Sequence, residues 1–108
     1  MSMAFQEALL EKRLHSLANT QESIQSMSAY CLQGKGKAKQ VIDVWLKVVK
    51  KERVSQRRNL FYLANDVIQL AKRKNIKEFV EGWKEALKMA TPFVRSAMEV
   101  LHFDHAWI

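Results

Sequence analysis

Apolar residues recur along this chain at intervals of three and four, the period of helices with one buried face. Phe5, Leu9, Leu10, Leu14 and Leu17 form a first stripe that ends near Ala18. Asn19 then reads as the cap of a second helix, with Glu22 three residues on in capping-box spacing. Ile24, Met27, Tyr30 and Cys31 are its expected buried face, and Gly34-Lys35-Gly36 its stop. Val41, Val44, Trp45, Val48 and Val49 mark a third helix, β-branched but helical in spacing. Ser55 is placed to cap a fourth, which runs to about Lys74. Phe79, Trp83, Ala86, Leu87 and Ala90 mark a fifth. Pro92 suits the first turn of a sixth, followed by Phe93, Ala97, Val100 and Leu101. No strand pattern appears, so the fold class is all-α, with helices stacked through short connections.

The fourth helix carries two polar patterns at once. Leu60, Leu63, Ala64, Val67 and Ala71 follow the spacing of a core-facing stripe. Tyr62, Asp66, Gln69 and Arg73 repeat that spacing on another face, with Asn65 and Lys72 one helical repeat apart beside it. Asn and Asp are poor helix-interior residues, because their side chains compete for backbone hydrogen bonds. An adjacent Asn65-Asp66 pair in an apolar helix therefore needs a reason. Either the two bond to neighbouring loops, or this face serves a ligand.

With 108 residues the chain is long enough for one domain with a sizeable core. A net charge of +7 favours an acidic partner: nucleic acid, anionic lipid or a phosphorylated peptide. The basic residues cluster at Lys35 to Lys39, Lys47 to Arg58 and Lys72 to Lys77. No apolar run is long enough for a membrane span, and no secretory leader is expected from Met1 to Glu7. The single cysteine, Cys31, excludes an internal disulfide and reads as a small core residue in a reducing compartment.

Enzymatic chemistry finds little support. Nothing in the sequence pairs Cys31 with His15 as nucleophile and base. His102, Asp104 and His105 are spaced so that a regular helix would not aim all three at one ion. Gly34-Lys35-Gly36-Lys37 lacks the strand and spacing of a phosphate loop. No metal and no cofactor is expected; the chain reads as a binding module.

Ala8 to Leu14, Asn19 to Ile24, Val44-Trp45 and above all Phe61-Tyr62-Leu63-Ala64-Asn65-Asp66-Val67-Ile68-Gln69 resemble the CTD-interacting domain family. The similarity is closest to the "regulation of nuclear pre-mRNA domain-containing" proteins, and runs from about Ala4 to Trp83. The resemblance implies a right-handed superhelix, ENTH/VHS-like, of about eight helices in the family and about six to seven here. Residues 1–108 are then one such domain, shortened at its C-terminal part. It also implies a nuclear adaptor in transcription and pre-mRNA 3′ processing. The implied partner is the heptad-repeat C-terminal tail of the largest RNA polymerase II subunit, phosphorylated at the second heptad position.

Carried onto matching positions, Asn19, Gln21, Tyr62, Asn65, Asp66 and Gln69 line the peptide groove. Asp66 would accept a hydrogen bond from the heptad tyrosine hydroxyl. Lys72, Arg73 and Arg95 are the phosphate-binding residues, with arginine offering a two-pronged fork. In the family a later helix begins Pro-x-x-Arg and supplies the phosphate contact. Pro92-Phe93-Val94-Arg95 is either its counterpart after a deletion or, in an ungapped alignment, part of the preceding helix. Two other functions compete. RNA binding would use the basic patches and depend strongly on salt. A membrane or phosphoinositide adaptor would bind liposomes and make no use of Tyr62 and Asp66.

Overall fold

The computed structural model describes residues 6–34 and 36–101, with side chains described as far as Pro92. Five helices account for nearly all of them: α1 (Glu7–His15), α2 (Gln21–Leu32), α3 (Ala38–Lys51), α4 (Val54–Arg73) and α5 (Lys77–Leu101). No strand occurs among the described residues. The stripes read from spacing are the core. Leu10, Leu14, Ile24, Met27, Cys31, Val41, Trp45, Val48, Leu60, Leu63, Val67, Phe79, Trp83 and Leu87 are all buried.

Each helix packs on the one two places along the chain, α1 on α3, α2 on α4 and α3 on α5, and α4 also lies against α5. This is the pairing a superhelix of stacked helices requires. Buried aromatics pin the stack. Trp45 meets Phe61 and Trp83 edge to face, with centroids 5.6 and 5.8 Å apart. Its indole N–H donates to the Leu60 carbonyl at 3.0 Å, so a buried polar group is satisfied while α3 is locked to α4. Gly82 allows the close approach of α3 and α5: a Cβ there would lie 2.7 Å from Ile42 Cδ1.

Helix ends show where local chemistry departs from the expected boundaries. The cap of α2 is Thr20, not Asn19. Thr20 is extended and its hydroxyl accepts from the Ser23 N–H at 3.1 Å. Ser23 Oγ in turn accepts from the Ala18 N–H at 3.2 Å, tying the loop before the cap to the first turn of α2. Glu22 falls in the first turn instead, beside the positive end of the helix dipole. Ser55 does not cap α4; it lies in the first turn, after a side-chain-free start at Arg53. Arg57 explains the early start. Its guanidinium donates to the Val49 carbonyl at 2.7 Å and the Lys50 carbonyl at 3.2 Å, closing the end of α3 and drawing α4 against it. At the other end of α4, Asn75 takes a left-handed conformation with φ of 58°. The Ile76 N–H bonds to Ala71 and the Asn75 N–H to Lys72, a Schellman closure that ends the helix without glycine.

The expected sixth helix does not form. Pro92 lies inside α5, which continues to Leu101, so five helices stand among the described residues where six to seven were expected. Pro92 removes one N–H from the ladder. The helix persists because the apolar period from Phe79 through Trp83, Ala86 and Ala90 runs on in phase to Phe93, Ala97 and Val100. A single helical face thus spans the proline. The backbone of Arg95 belongs to α5, as the ungapped alignment has it; its side chain lies outside the described residues, as do His102, Asp104 and His105.

Candidate functional site

α2 and α4 run side by side in the same direction. Two hydrogen bonds and a shared surface depression mark their register. Near their N-terminal ends the Leu17 carbonyl, just before α2, accepts from the Asn59 amide at 3.4 Å. In the middle Ser28 Oγ donates to Asp66 Oδ2 at 2.6 Å. Toward their C-terminal ends Leu32 and Gln33 share a surface depression with Leu70 and Lys74. Asn59 and Asp66 are seven residues apart, two turns along one edge of α4.

The face of α4 opposite its core stripe carries the residues singled out by spacing. Tyr62, Gln69, Lys72 and Arg73 are exposed, and Asn65 and Asp66 are half-buried at its edges. Asp66 is tethered on the α2 side. One carboxylate oxygen accepts the Ser28 hydroxyl, and the other has no partner among the described residues. Asn65 Oδ1 is buried and finds no hydrogen-bond partner among them either. The pair therefore does not bond to neighbouring loops; Asp66 bonds to a neighbouring helix. Arg58 shares this face, one turn before Tyr62, and its side chain is half-buried. Arg73 lies eleven residues beyond Tyr62, about 16 Å along the axis at 1.5 Å per residue. An aromatic ring, a tethered carboxylate and a basic end thus follow one another along one exposed helix face.

Asn19 and Gln21 are exposed at the start of α2. The loop that carries them is fixed from below by two side chains of α4. Gln56 Nε2 donates to the Leu14 and Leu17 carbonyls, both at 3.0 Å, and its Oε1 accepts from Asn59 Nδ2 at 2.9 Å. The register brings the loop alongside the first half of α4, the half that holds Tyr62. Ser28, Gln56 and Asn59 were not among the residues expected to matter. Ser28 had a signal: it is a polar residue within the apolar spacing of Ile24, Met27 and Cys31, and it is fully buried. Gln56 and Asn59 had none, since their partners lie about forty residues away in sequence.

Other candidate chemistry resolves into structure. Burial pushes the Cys31 thiol up to about 12, which leaves it protonated and unreactive. Among the described residues no three His, Cys, Asp or Glu side chains are grouped to hold a metal. No described helix is long and apolar enough to cross a membrane. Much of the basic run from Lys47 to Arg58 is internally engaged. Arg57 closes α3, and Lys47 and Lys51 pair with Glu11 at 3.1 and 3.8 Å.

Residues 8–100 match the family model of the CID domain. This chain belongs to the CID domain family. Among its relatives is "Regulation of nuclear pre-mRNA domain-containing protein 2" of Mus musculus, 39% identical over 89 residues. That match covers 82% of this chain and 6% of the mouse protein. "Regulation of nuclear pre-mRNA domain-containing protein 1A" of Bos taurus is 38% identical over 88 residues, covering 79% of this chain and 28% of that protein. "Regulation of nuclear pre-mRNA domain-containing protein 1B" of Homo sapiens is 36% identical over 84 residues, 78% of this chain and 26% of its own length. The chain therefore spans less than a third of these relatives. In this CID domain the Tyr62–Arg73 face lies wholly inside the matched region.

Proposed function

We propose that this domain is a nuclear binding module for the heptad-repeat tail of RNA polymerase II, phosphorylated at the second heptad position, and acts as an adaptor in pre-mRNA processing. The observation that carries this reading is the exposed face of α4, where Tyr62, Asp66, Gln69 and Arg73 follow helical spacing and Asp66 keeps one oxygen without a partner among the described residues. Tyr62 supplies an aromatic surface, and Asp66 accepts from a peptide hydroxyl. Asn19, Gln21 and Asn65 flank the same face. Lys72 and Arg73, both exposed at the end of α4, meet the phosphate by charge-assisted hydrogen bonds. Membership of the CID family and the names of the relatives, which refer to nuclear pre-mRNA, support the same reading. The stacked pairing of the helices, which leaves one face of α4 exposed, suits a binding module.

The test is a calorimetric titration with two-heptad peptides, unmodified and singly phosphorylated. Binding in the range of roughly micromolar to tens of micromolar is expected, because a short disordered peptide loses entropy on ordering. The phosphorylated form should bind more tightly. Arg95→Ala then assigns the phosphate. Loss of phosphate discrimination places the contact at Arg95 on α5; retained discrimination places it at Lys72 and Arg73. Equal binding of both peptides by wild type contradicts a phosphate-reading site.

A further inference from the structure

We propose that Ser28 is a positioning residue of this site, holding the Asp66 carboxylate in place for a ligand hydroxyl; the proposal rests on the peptide-binding reading above. Ser28 is fully buried in the middle of α2, where its neighbours in the stripe, Ile24, Met27 and Cys31, are apolar. A lone serine hydroxyl inside a helix ordinarily bonds back to a carbonyl of its own preceding turn. This one instead donates across to Asp66 Oδ2 at 2.6 Å, a short charge-assisted contact. An apolar residue of similar size would suit the packing of α2. The hydroxyl therefore has its use in what it does to Asp66.

That use follows from the geometry of the carboxylate. An aspartate on an exposed helix face turns about two side-chain bonds, and a ligand that needs it in one orientation must first arrest both. The Ser28 bond, made from a side chain that is itself immobilised by the core, arrests them beforehand. One oxygen is occupied, and the other is the acceptor left for a ligand donor. Asn59, two turns earlier on the same edge of α4, holds the register between α2 and α4 that makes the Ser28 contact possible. Pre-organisation of this kind raises affinity by removing part of the ordering loss on binding. It acts only on ligands that use Asp66, and so sets selectivity for a hydroxyl over its hydroxyl-free analogue.

The experiment is a cycle of two proteins and two peptides. Wild type and Ser28→Ala are titrated with a singly phosphorylated two-heptad peptide and with the same peptide carrying phenylalanine for each tyrosine. Circular dichroism checks that both proteins are folded. Wild type should prefer the tyrosine peptide by about ten-fold or more, in the range for a hydrogen bond to a charged group. Ser28→Ala should reduce that preference to about three-fold or less while its binding of the phenylalanine peptide stays near wild type. Ser28→Cys, close in size but a weaker donor, should fall between the two and gives the same readout should the alanine variant not fold. A wild type that prefers tyrosine, with Ser28→Ala and Ser28→Cys keeping the full preference, overturns the proposal alone. Equal weakening toward both peptides does so too, since that is what a purely structural seam would give. A wild type that does not distinguish the peptides overturns the reading of Asp66 itself, and this proposal with it.

Discussion

On the flank of α4 that faces α3 and α5, Trp45, Phe61 and Trp83 meet edge to face in a buried aromatic cluster. On the flank that faces α2, buried apolar residues such as Ile24, Met27 and Cys31 are joined by a set of hydrogen bonds: Gln56 and Asn59 to the Leu14 and Leu17 carbonyls, and Ser28 to Asp66. The first flank is held by area and shape, which are not directional and tolerate small shifts. The second adds to its apolar packing pairs whose geometry must be met and whose loss leaves a buried polar group unsatisfied. Placing the candidate site beside the polar seam gives its side chains fixed directions. Placing the aromatic cluster opposite gives the helix its stability. The division predicts that damage to one flank unfolds the domain and damage to the other mainly blurs the site.

Trp45→Ala should produce the largest effect. It removes a fully buried indole, two aromatic contacts and the bond to the Leu60 carbonyl. A loss of roughly 3–5 kcal/mol is expected, enough to unfold much of a domain of this size. Urea unfolding followed by circular dichroism measures it. A loss below about 1 kcal/mol would mean that the cluster does not hold the stack.

Gln56→Ala tests the other flank. It leaves the Leu14 carbonyl without this donor and takes one acceptor from Asn59, for a cost of about 1–3 kcal/mol. The damage should be local. Amide exchange should accelerate in residues 16–20, and peptide binding should weaken, while the core of α3 and α5 keeps its protection. Uniform acceleration across all helices would contradict the separation of the two flanks.

Asp66→Ala should affect both stability and binding. An aspartate standing free on a helix surface would contribute little to the fold. Here the substitution leaves the fully buried Ser28 hydroxyl without its partner, so about 1–3 kcal/mol of stability should be lost along with tyrosine-dependent binding. Adding Ser28→Ala to Asp66→Ala should restore part of the stability but none of the binding, as a matched double-variant cycle would record.

The smallest expected effect lies outside both flanks. Glu52, at the α3–α4 turn, is held below its ordinary pKa chiefly by the hydrogen bond with the His15 ring at 2.5 Å on α1, against an opposing push from burial. A carboxyl lowered in the folded state contributes stability that is present above its unfolded pKa and is lost as pH falls through the folded value. Acidification through and below the ordinary carboxylate range should therefore destabilise wild type more than Glu52→Gln, by less than about 1 kcal/mol for a half-buried pair at the surface. Unfolding midpoints across that range measure the difference; identical profiles would mean that the His15–Glu52 bond contributes nothing.

The same two flanks mark what the sequence made legible. Leu60, Leu63, Ala64, Val67 and Ala71 could be read as core because burial leaves a period in the chain, and all five are buried. The exposed face could be read for the same reason, with Tyr62, Gln69 and Arg73 in one period. The seam could not, since Ser28 and Asp66 are 38 residues apart and nothing local announces their pairing. Caps are ambiguous in sequence where two capping residues adjoin: Thr20, not Asn19, holds the first turn of α2 through the Ser23 N–H. A proline that opens a helix and one that lies within a helix look alike in sequence until the apolar phase on either side is compared, and Pro92 lies within α5.

The central claim is that the exposed face of α4 recognises a particular peptide order and not merely negative charge. It is tested most directly by titrating wild type with a singly phosphorylated two-heptad peptide and with a scrambled peptide of the same composition, charge and phosphate. The ordered peptide should bind at least about ten-fold more tightly, because Asp66 and Tyr62 discriminate by geometry. Equal affinity for the two would reduce the interaction to the attraction of a +7 chain for phosphate and contradict the account.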